Sequence, residues 1–270
     1  SLSAREGGLA HAGRIVLKSV AYNNKIRDEA MSKGILAFGA YVPRRRLQRK
    51  AIADLHGWFN PALKGQAKGE RAFCNWDEDP VTMAVEAARD ALAGRDRAGI
   101  AALRLASTTF PFLDRLHSGI VAEALGLDED ISAIDVAATQ RAGTSALIEA
   151  LGRDQETLVV AAEKRVAKAA SPVEMTSGDG AAAILVGEGK PVARLLAKAS
   201  RTADFVDHYR SMENPYDYQW EERWIRDAGY LKIVPPVIAR CLEKAKVAAG
   251  DIAHFCMPAT LPKLANTIAK

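Results

Sequence analysis

The sequence predicts an α/β fold with a mainly parallel sheet, and two observations favour it. Short apolar runs typical of strands alternate along the chain with segments in which apolar residues recur at three- and four-residue spacing, as in amphipathic helices. Alternation on this scale is typical of strand–helix–strand units, which place helices against the faces of a parallel sheet.

Residues 34–187 carry the clearest elements. Residues 34–43 form an apolar run that ends at a proline, which indicates the end of a strand. A helix is predicted to begin after Asp79 as N-cap with Pro80 in its first position, and its apolar residues from Val81 to Leu92 indicate one buried face. Residues 103–112 are predicted to be a strand that runs into a polar turn, 157–162 a buried strand, and 178–187 a turn that continues as a strand. A helix is predicted at about 118–125.

The second half is less regular. A strand is predicted at 192–199, followed by an aromatic and charged surface excursion over 201–230. A helix is predicted at 230–246 and a last strand at 252–258, again ending at a proline.

Gln140 follows a short apolar strand that begins at Ile134, in a tight turn that leads into a helix with Leu147, Ile148 and Leu151 on one face. A residue in such a turn lies at a helix N-terminus, where free N–H groups stabilise negative charge and lower the pKa of a thiol. This position suits a nucleophilic cysteine. Glutamine has no ionisable proton, so the sequence predicts the turn without its nucleophile.

Bulk composition excludes several classes of protein. The 270 residues carry a net charge of only +4, with acidic residues between the basic ones, which argues against a nucleic-acid partner. Three widely spaced cysteines without a CxxC pair predict neither a disulfide framework nor a metal site. No apolar run approaches a membrane span, so we expect a cytoplasmic protein with no membrane partner.

Residues 1–30 differ from the rest and are predicted to be disordered. Met31 is the expected natural start, which makes the preceding residues an extension or a remnant of cloning. A transit peptide is the alternative, but Glu6, Asp28 and Glu29 argue against it.

An ordered set of short motifs resembles 3-hydroxy-3-methylglutaryl-CoA synthase, especially the archaeal and bacterial type, within the thiolase and ketoacyl-synthase III superfamily. The set covers residues 31 to about 265, and its order is more specific than any one motif. The motifs lie at 39–43, 77–79 with 87–88, 120–126, 142–144, 178–182, 207–210 and 255–258 with Thr260.

The resemblance implies a thiolase-like layered αβαβα fold of two pseudo-equivalent halves. On this pattern residues 31–190 are the N-terminal half and 191–270 the start of a second half that is incomplete. It also implies CoA thioesters as ligands, with no covalently bound cofactor, and a homodimer. A zinc-ribbon/OB-fold or thiolase protein is implied as a further partner.

The family's chemistry uses a cysteine that takes the acyl group, a histidine that orients the second thioester and a glutamate that handles protons. The matching positions in this sequence are Gln140, Cys256 and Thr108 respectively. All three residues differ from the family pattern, so the resemblance implies that the usual condensation cannot run.

Other residues near the motifs are candidates for binding or catalysis. The resemblance suggests Arg115, Arg141, Gly143 and Lys263 as residues that bind the CoA ligand. Cys256 is expected to be a buried structural thiol, and His254, two residues earlier on the same predicted strand, could assist it or be structural. His117 could face the site, although a lone histidine is more often structural or exposed.

Three functions remain open. The first is an acyl-CoA-handling protein of the acyltransferase class with an altered mechanism. The second is decarboxylation of a malonyl thioester. A glutamine at the nucleophile position resembles loading ketosynthases, in which the glutamine amide donates to the enolate oxygen. The third is a non-catalytic scaffold or regulatory subunit of a synthase or thiolase complex.

Overall fold

A computed structural model describes residues 32–258, 261 and 263–270. Its main feature is a five-stranded sheet in the order β1-β7-β6-β4-β5. Four strands run in one direction, and β7 is antiparallel to both of its neighbours. The strands are β1 (Ser32–Tyr41), β4 (Ala102–Ala106), β5 (Ser132–Val136), β6 (Thr157–Glu163) and β7 (Gly180–Gly189). The predicted α/β fold is confirmed, with one antiparallel strand in the sheet. The expected disorder of residues 1–30 lies outside the described residues.

Helices cover both faces of this sheet. These are α2 (Pro80–Ala91), α3 (His117–Leu125) and α4 (Ala142–Ala150), whereas α1 (Arg49–His56) and α5 (Pro172–Thr176) pack in a separate small core. Leu158 and Val160 of β6 pack in the large core with α2 and α3, whereas Val159 points to the other face and packs with α4. The two-residue period of a strand therefore divides the core into two layers of side chains.

The predicted N-terminus of α2 is confirmed. Asp79 and Thr82 form a capping box, and Pro80 occupies the first helical turn. Gly39 of β1 lies so close to α2 that a Cβ there would be 2.6 Å from the Ala87 carbonyl oxygen. A side chain at position 39 would hold the helix away from the sheet.

Strand β4 ends at Ala106 and is followed by a polar turn, as predicted. All five of its residues are buried, as expected for the centre of a parallel sheet. A small second sheet pairs β2 (Arg45–Gln48) with β3 (Glu70–Phe73), and a 3-10 helix spans Pro61–Gln66.

The chain beyond β7 forms mostly short elements. These are β8 (His208–Tyr209), β9 (Tyr218–Gln219), α6 (Glu222–Trp224), a π-helix (Ile225–Tyr230), α7 (Leu231–Ala245), a 3-10 helix (Ala249–Asp251) and α8 (Leu264–Ile268). The helix predicted at 230–246 is confirmed as α7.

Two strands predicted in the second half are wrong. Residues 192–199 contribute only one bridge, between Ala193 and Ile35 of β1. Residues 252–258 have no regular secondary structure and belong to none of the sheets of the described residues. Both segments have strand-like composition, but among the described residues only the edge of β1 at Ile35 pairs with either of them, and it does so at Ala193 alone. None of the helices in the described residues is both long and apolar enough to cross a membrane.

Candidate functional site

Gln140 lies in the turn between β5 and α4, as predicted. Within this turn Ala138 has a φ of 64°, an uncommon conformation for a residue with a Cβ. The backbone N–H of Ala142 bonds to the carbonyl of Thr139, and α4 begins at Ala142. Gly143 allows α4 to approach β6 closely, because a Cβ at Gly143 would lie 3.2 Å from the Cβ of Ala161. Gln140 is therefore placed at the N-terminus of a helix packed against the sheet.

A cavity of about 500 Å³ opens beside this turn. Its walls come from β4, β6, β7 and α4 and are mainly apolar and small, with few polar groups. The polar residues among the lining side chains are Ser107, Thr139, Gln140, Thr144 and Glu163. An apolar cavity of this size with a few convergent polar groups is typical of a small-molecule site.

The Gln140 side chain contacts two potential hydrogen-bond donors. One carboxamide atom lies 2.6 and 2.7 Å from the two terminal nitrogens of Arg165 and 2.7 Å from Nε2 of His208. A guanidinium can only donate, so the atom facing it must be the carboxamide oxygen. Arg165 and His208 therefore fix the orientation of the Gln140 amide.

Asp207 supports His208 from the other side of the ring. Its Oδ1 lies 2.8 Å from Nδ1 of His208. This hydrogen bond is the largest effect on the Asp207 carboxyl and holds its pKa below the ordinary value, although burial opposes it. Tyr230 lies near the same carboxylate, and burial together with the Asp207 charge raises the pKa of Tyr230.

A second ionic group ties the same segment to the sheet. Asp217, whose side chain is 7% exposed, pairs with Nε of Arg165 at 3.0 Å and with Nη1 of Arg210 at 3.3 Å. Arg210 also donates to the carbonyl of Thr108. The residues 207–217 are thus connected to the turn after β4 and, through Arg165, to Gln140.

Thr108 does not line the cavity itself but contacts a carboxylate that does. The backbone N–H and hydroxyl of Thr108 donate to Glu163, at 2.6 and 3.1 Å, and the hydroxyl of Thr109 donates to it at 2.9 Å. Glu163 is the last residue of β6. A carboxylate is therefore present beside the turn at Thr108, although it is supplied by another strand.

The other predicted site residues are more dispersed. Gly143 lines the cavity. Arg141 is exposed at the N-cap of α4, and Lys263 is exposed and precedes α8. Arg115 is exposed and lies over the ring of Phe112, 5.5 Å from its centroid.

Cys256 is exposed and is not among the cavity-lining residues, so the expectation of a buried thiol is wrong. The reason is that residues 252–258 do not pair as a strand and therefore do not bury alternate side chains. His254 is likewise exposed.

His117 is a structural residue. Its ring stacks on Phe110 at 4.2 Å, and its Nδ1 lies 2.8 Å from Asp135. The remaining ring nitrogen accepts from the backbone of Phe112 at 3.3 Å. Both ring nitrogens are thus satisfied within the fold.

Three residues of the site were not predicted: Glu163, Arg165 and His208. Glu163 and Arg165 lie at the carboxyl end of a buried strand, a place where α/β proteins commonly bind ligands, and this signal was present in the sequence. His208 lies inside the motif at 207–210, but only the tertiary fold shows that it contacts Gln140.

Comparisons with known proteins agree with this architecture. No family model matches the chain. The hydroxymethylglutaryl-CoA synthase of Methanosarcina mazei is 33% identical over 240 residues, which is 84% of this chain and 68% of that protein. The chain belongs to the hydroxymethylglutaryl-CoA synthase family.

Solved structures show the same fold. A crystal structure of HMG-CoA synthase complexed with CoA matches with a TM-score of 0.74 and 22% identity, over 87% of this chain and 62% of that chain. The 3-oxoacyl-[acyl-carrier-protein] synthase III from Aquifex aeolicus matches with a TM-score of 0.67 and 21% identity, over 82% and 74% of the two chains. The fold is therefore thiolase-like.

The chain is shorter than these family members. It spans 57% of the length of the Caldivirga maquilingensis synthase and 63% of that of Aeropyrum pernix.

Proposed function

We propose that this protein binds an acyl-CoA in the cavity beside Gln140 and does not form a cysteine-bound acyl intermediate. The observation that carries the proposal is Gln140 itself, which occupies the turn at the N-terminus of α4 with its carboxamide oxygen facing Arg165 and His208. Support for the ligand comes from the family and from solved relatives in complex with CoA and with 3-hydroxy-3-methylglutaryl coenzyme A.

The cysteines of the chain do not replace the missing nucleophile. Cys74 is buried, and burial, with the nearby Asp179, raises the pKa of its thiol to about 12. Such a thiol is not ionised near neutral pH. Cys241 and Cys256 are also absent from the cavity lining. Condensation through a cysteine-bound acyl group therefore has no thiol in this site.

Decarboxylation of a malonyl thioester is a second candidate, favoured by the orientation of the Gln140 amide. With the oxygen turned to Arg165 and His208, the NH₂ of the same amide points away from these donors and can donate to a ligand. In this reaction the bond between the carboxylate and the α-carbon breaks and CO₂ leaves. The electron pair forms an enolate whose oxygen the NH₂ stabilises. Protonation of the α-carbon from water then gives acetyl-CoA.

We further infer a homodimer and assign CoA contacts to Arg115, Arg141, Gly143 and Lys263, following the family pattern. The edge strand β5 supports the dimer, because it has a neighbour on one side only and its Ile134 is 45% exposed. An exposed apolar edge favours pairing with a second copy.

Calorimetric titration with acetyl-CoA and malonyl-CoA, followed by mass-spectrometric product analysis, tests both candidates. We expect binding of both thioesters. If decarboxylation occurs, acetyl-CoA forms from malonyl-CoA and is lost in Gln140→Ala. Binding without turnover would leave the non-covalent binding role and remove the decarboxylase. No binding of either thioester would refute the proposed function and favour the non-catalytic scaffold.

A further inference from the structure

His208 reaches the site from a segment remote in sequence. It is 68 residues from Gln140 along the chain, and residues 207–217 connect to the sheet through the ion pairs of Asp217. At the family's histidine position the chain has Cys256, which is exposed and outside the cavity. The imidazole that contacts the nucleophile position therefore comes from a different part of the fold.

The donors around Gln140 define the role of the His208 ring. Arg165 donates to the carboxamide oxygen, so Nε2 of His208, at 2.7 Å from the same oxygen, must donate as well. Nδ1 of His208 faces the Asp207 carboxylate at 2.8 Å and donates to it. The two ring nitrogens thus face two acceptors, the Gln140 oxygen and the Asp207 carboxylate.

We propose that His208, held by Asp207, is a positioning residue that fixes the Gln140 carboxamide with its NH₂ toward the cavity. Without His208, the donors to the carboxamide oxygen come from one residue, Arg165, and hold the group from one side only. Two donors that approach the same oxygen from different elements define one orientation and reduce the cost of ordering the group when a ligand binds. This inference rests on the proposed function only for the identity of the ligand that the NH₂ would meet.

Several charged and titratable groups lie near the ring in the described part of the chain. Arg165 follows β6, Asp207 is the neighbour of His208, and Tyr230 ends the π-helix. Asp217 and Arg210 complete the ionic group. Asp207 pairs with His208, and Asp217 pairs with Arg165 and Arg210. These pairs hold the donors to Gln140 in place. Among the described residues, no unpaired carboxylate is in contact with the Gln140 oxygen.

The direct test is the mobility of the Gln140 side-chain amide in the full chain, measured as its {¹H}–¹⁵N nuclear Overhauser effect. We expect a rigid NH₂ group in the wild type and a mobile one in His208→Phe, which retains a ring without a donor. His208→Gln, whose amide can donate again, should restore rigidity. His254→Phe, at an exposed histidine, is the matched control and should leave Gln140 rigid.

The same variants separate failure of this inference from failure of the proposed function. If Gln140 is equally rigid in wild type and His208→Phe, the positioning role is refuted, whatever the protein binds. If the amide loosens but no thioester binds, the positioning role stands and the proposed function fails. Should His208→Phe not fold, Asp207→Ala provides the second variant, because it releases the ring and should also mobilise the amide.

Where malonyl-CoA is decarboxylated, His208→Phe should lower kcat about tenfold to a hundredfold, with KM changed less than about threefold. His208→Gln should recover most of the loss. An equal loss in both variants would contradict a role for the donated hydrogen bond.

Discussion

Asp135 of β5 should make a large contribution to stability because it caps α3 from a neighbouring strand. Its two oxygens accept from the backbone N–H groups of His117 and Ser118 at 2.8 and 2.7 Å, and one of them also contacts the His117 ring at 2.8 Å. Loss of an N-cap costs about 1 kcal/mol, and a hydrogen bond to a charged group contributes about 1.5–3 kcal/mol. Since these terms overlap, we expect Asp135→Ala to lower the free energy of unfolding by about 3 kcal/mol.

The contribution of Asp135 should depend on pH in a defined direction. Burial is the largest single effect and raises the pKa of Asp135, but the hydrogen bonds from His117 and Ser118 together outweigh it, so the pKa lies below its ordinary value. Because the pKa of Asp135 is lower in the folded protein than in the unfolded chain, its charged form stabilises the fold at pH values above the unfolded pKa of about 3.9. This stabilisation is lost as the pH falls through the pKa of the folded protein. The difference between wild type and Asp135→Ala should therefore be full near neutral pH and shrink in acid.

Urea unfolding followed by circular dichroism measures both effects. Asp114→Ala is the matched control, because Asp114 is an exposed carboxylate in the loop before α3 and should change stability by less than about 0.5 kcal/mol. If Asp135→Ala is as stable as Asp114→Ala at neutral pH, the capping argument is wrong.

Two further predictions concern packing and thiol chemistry. Gly39→Ala should destabilise the protein by about 3 kcal/mol, because its Cβ would meet the backbone of α2, whereas Gly65→Ala, with no atom within 4 Å, should be nearly neutral in the same urea experiment. In native protein treated with iodoacetamide, peptide mass spectrometry should find Cys256 modified well before Cys74. The reason is that Cys74 is buried, and its burial raises the pKa of its thiol to about 12. Equal rates of modification would contradict the buried position of Cys74.

The elements of the five-stranded sheet could be predicted because their sequence signals are local. The cap at Asp79 and the buried runs of β4 and β6 are decided by neighbouring residues and by burial on both faces. The turn at Gln140 was predicted for the same reason, since the strand before it and the helix after it each have a clear period.

The second half could not be predicted in the same way. Residues 192–199 and 252–258 have the composition of strands, but a strand also needs a partner edge, and the described residues provide one only at Ala193. The contact of His208 with Gln140 likewise depends on the path of residues 207–217 across the sheet. A single sequence does not contain that path.

The most direct test of the central claim is the intact mass of the protein after incubation with acetyl-CoA. The account predicts that wild type binds the thioester but carries no acetyl group, because Gln140 cannot accept one. Gln140→Cys should become acetylated, since its thiol would lie at the N-terminus of α4, where free N–H groups and the helix dipole favour the thiolate. An acetyl group on the wild-type protein within the cavity would contradict the account.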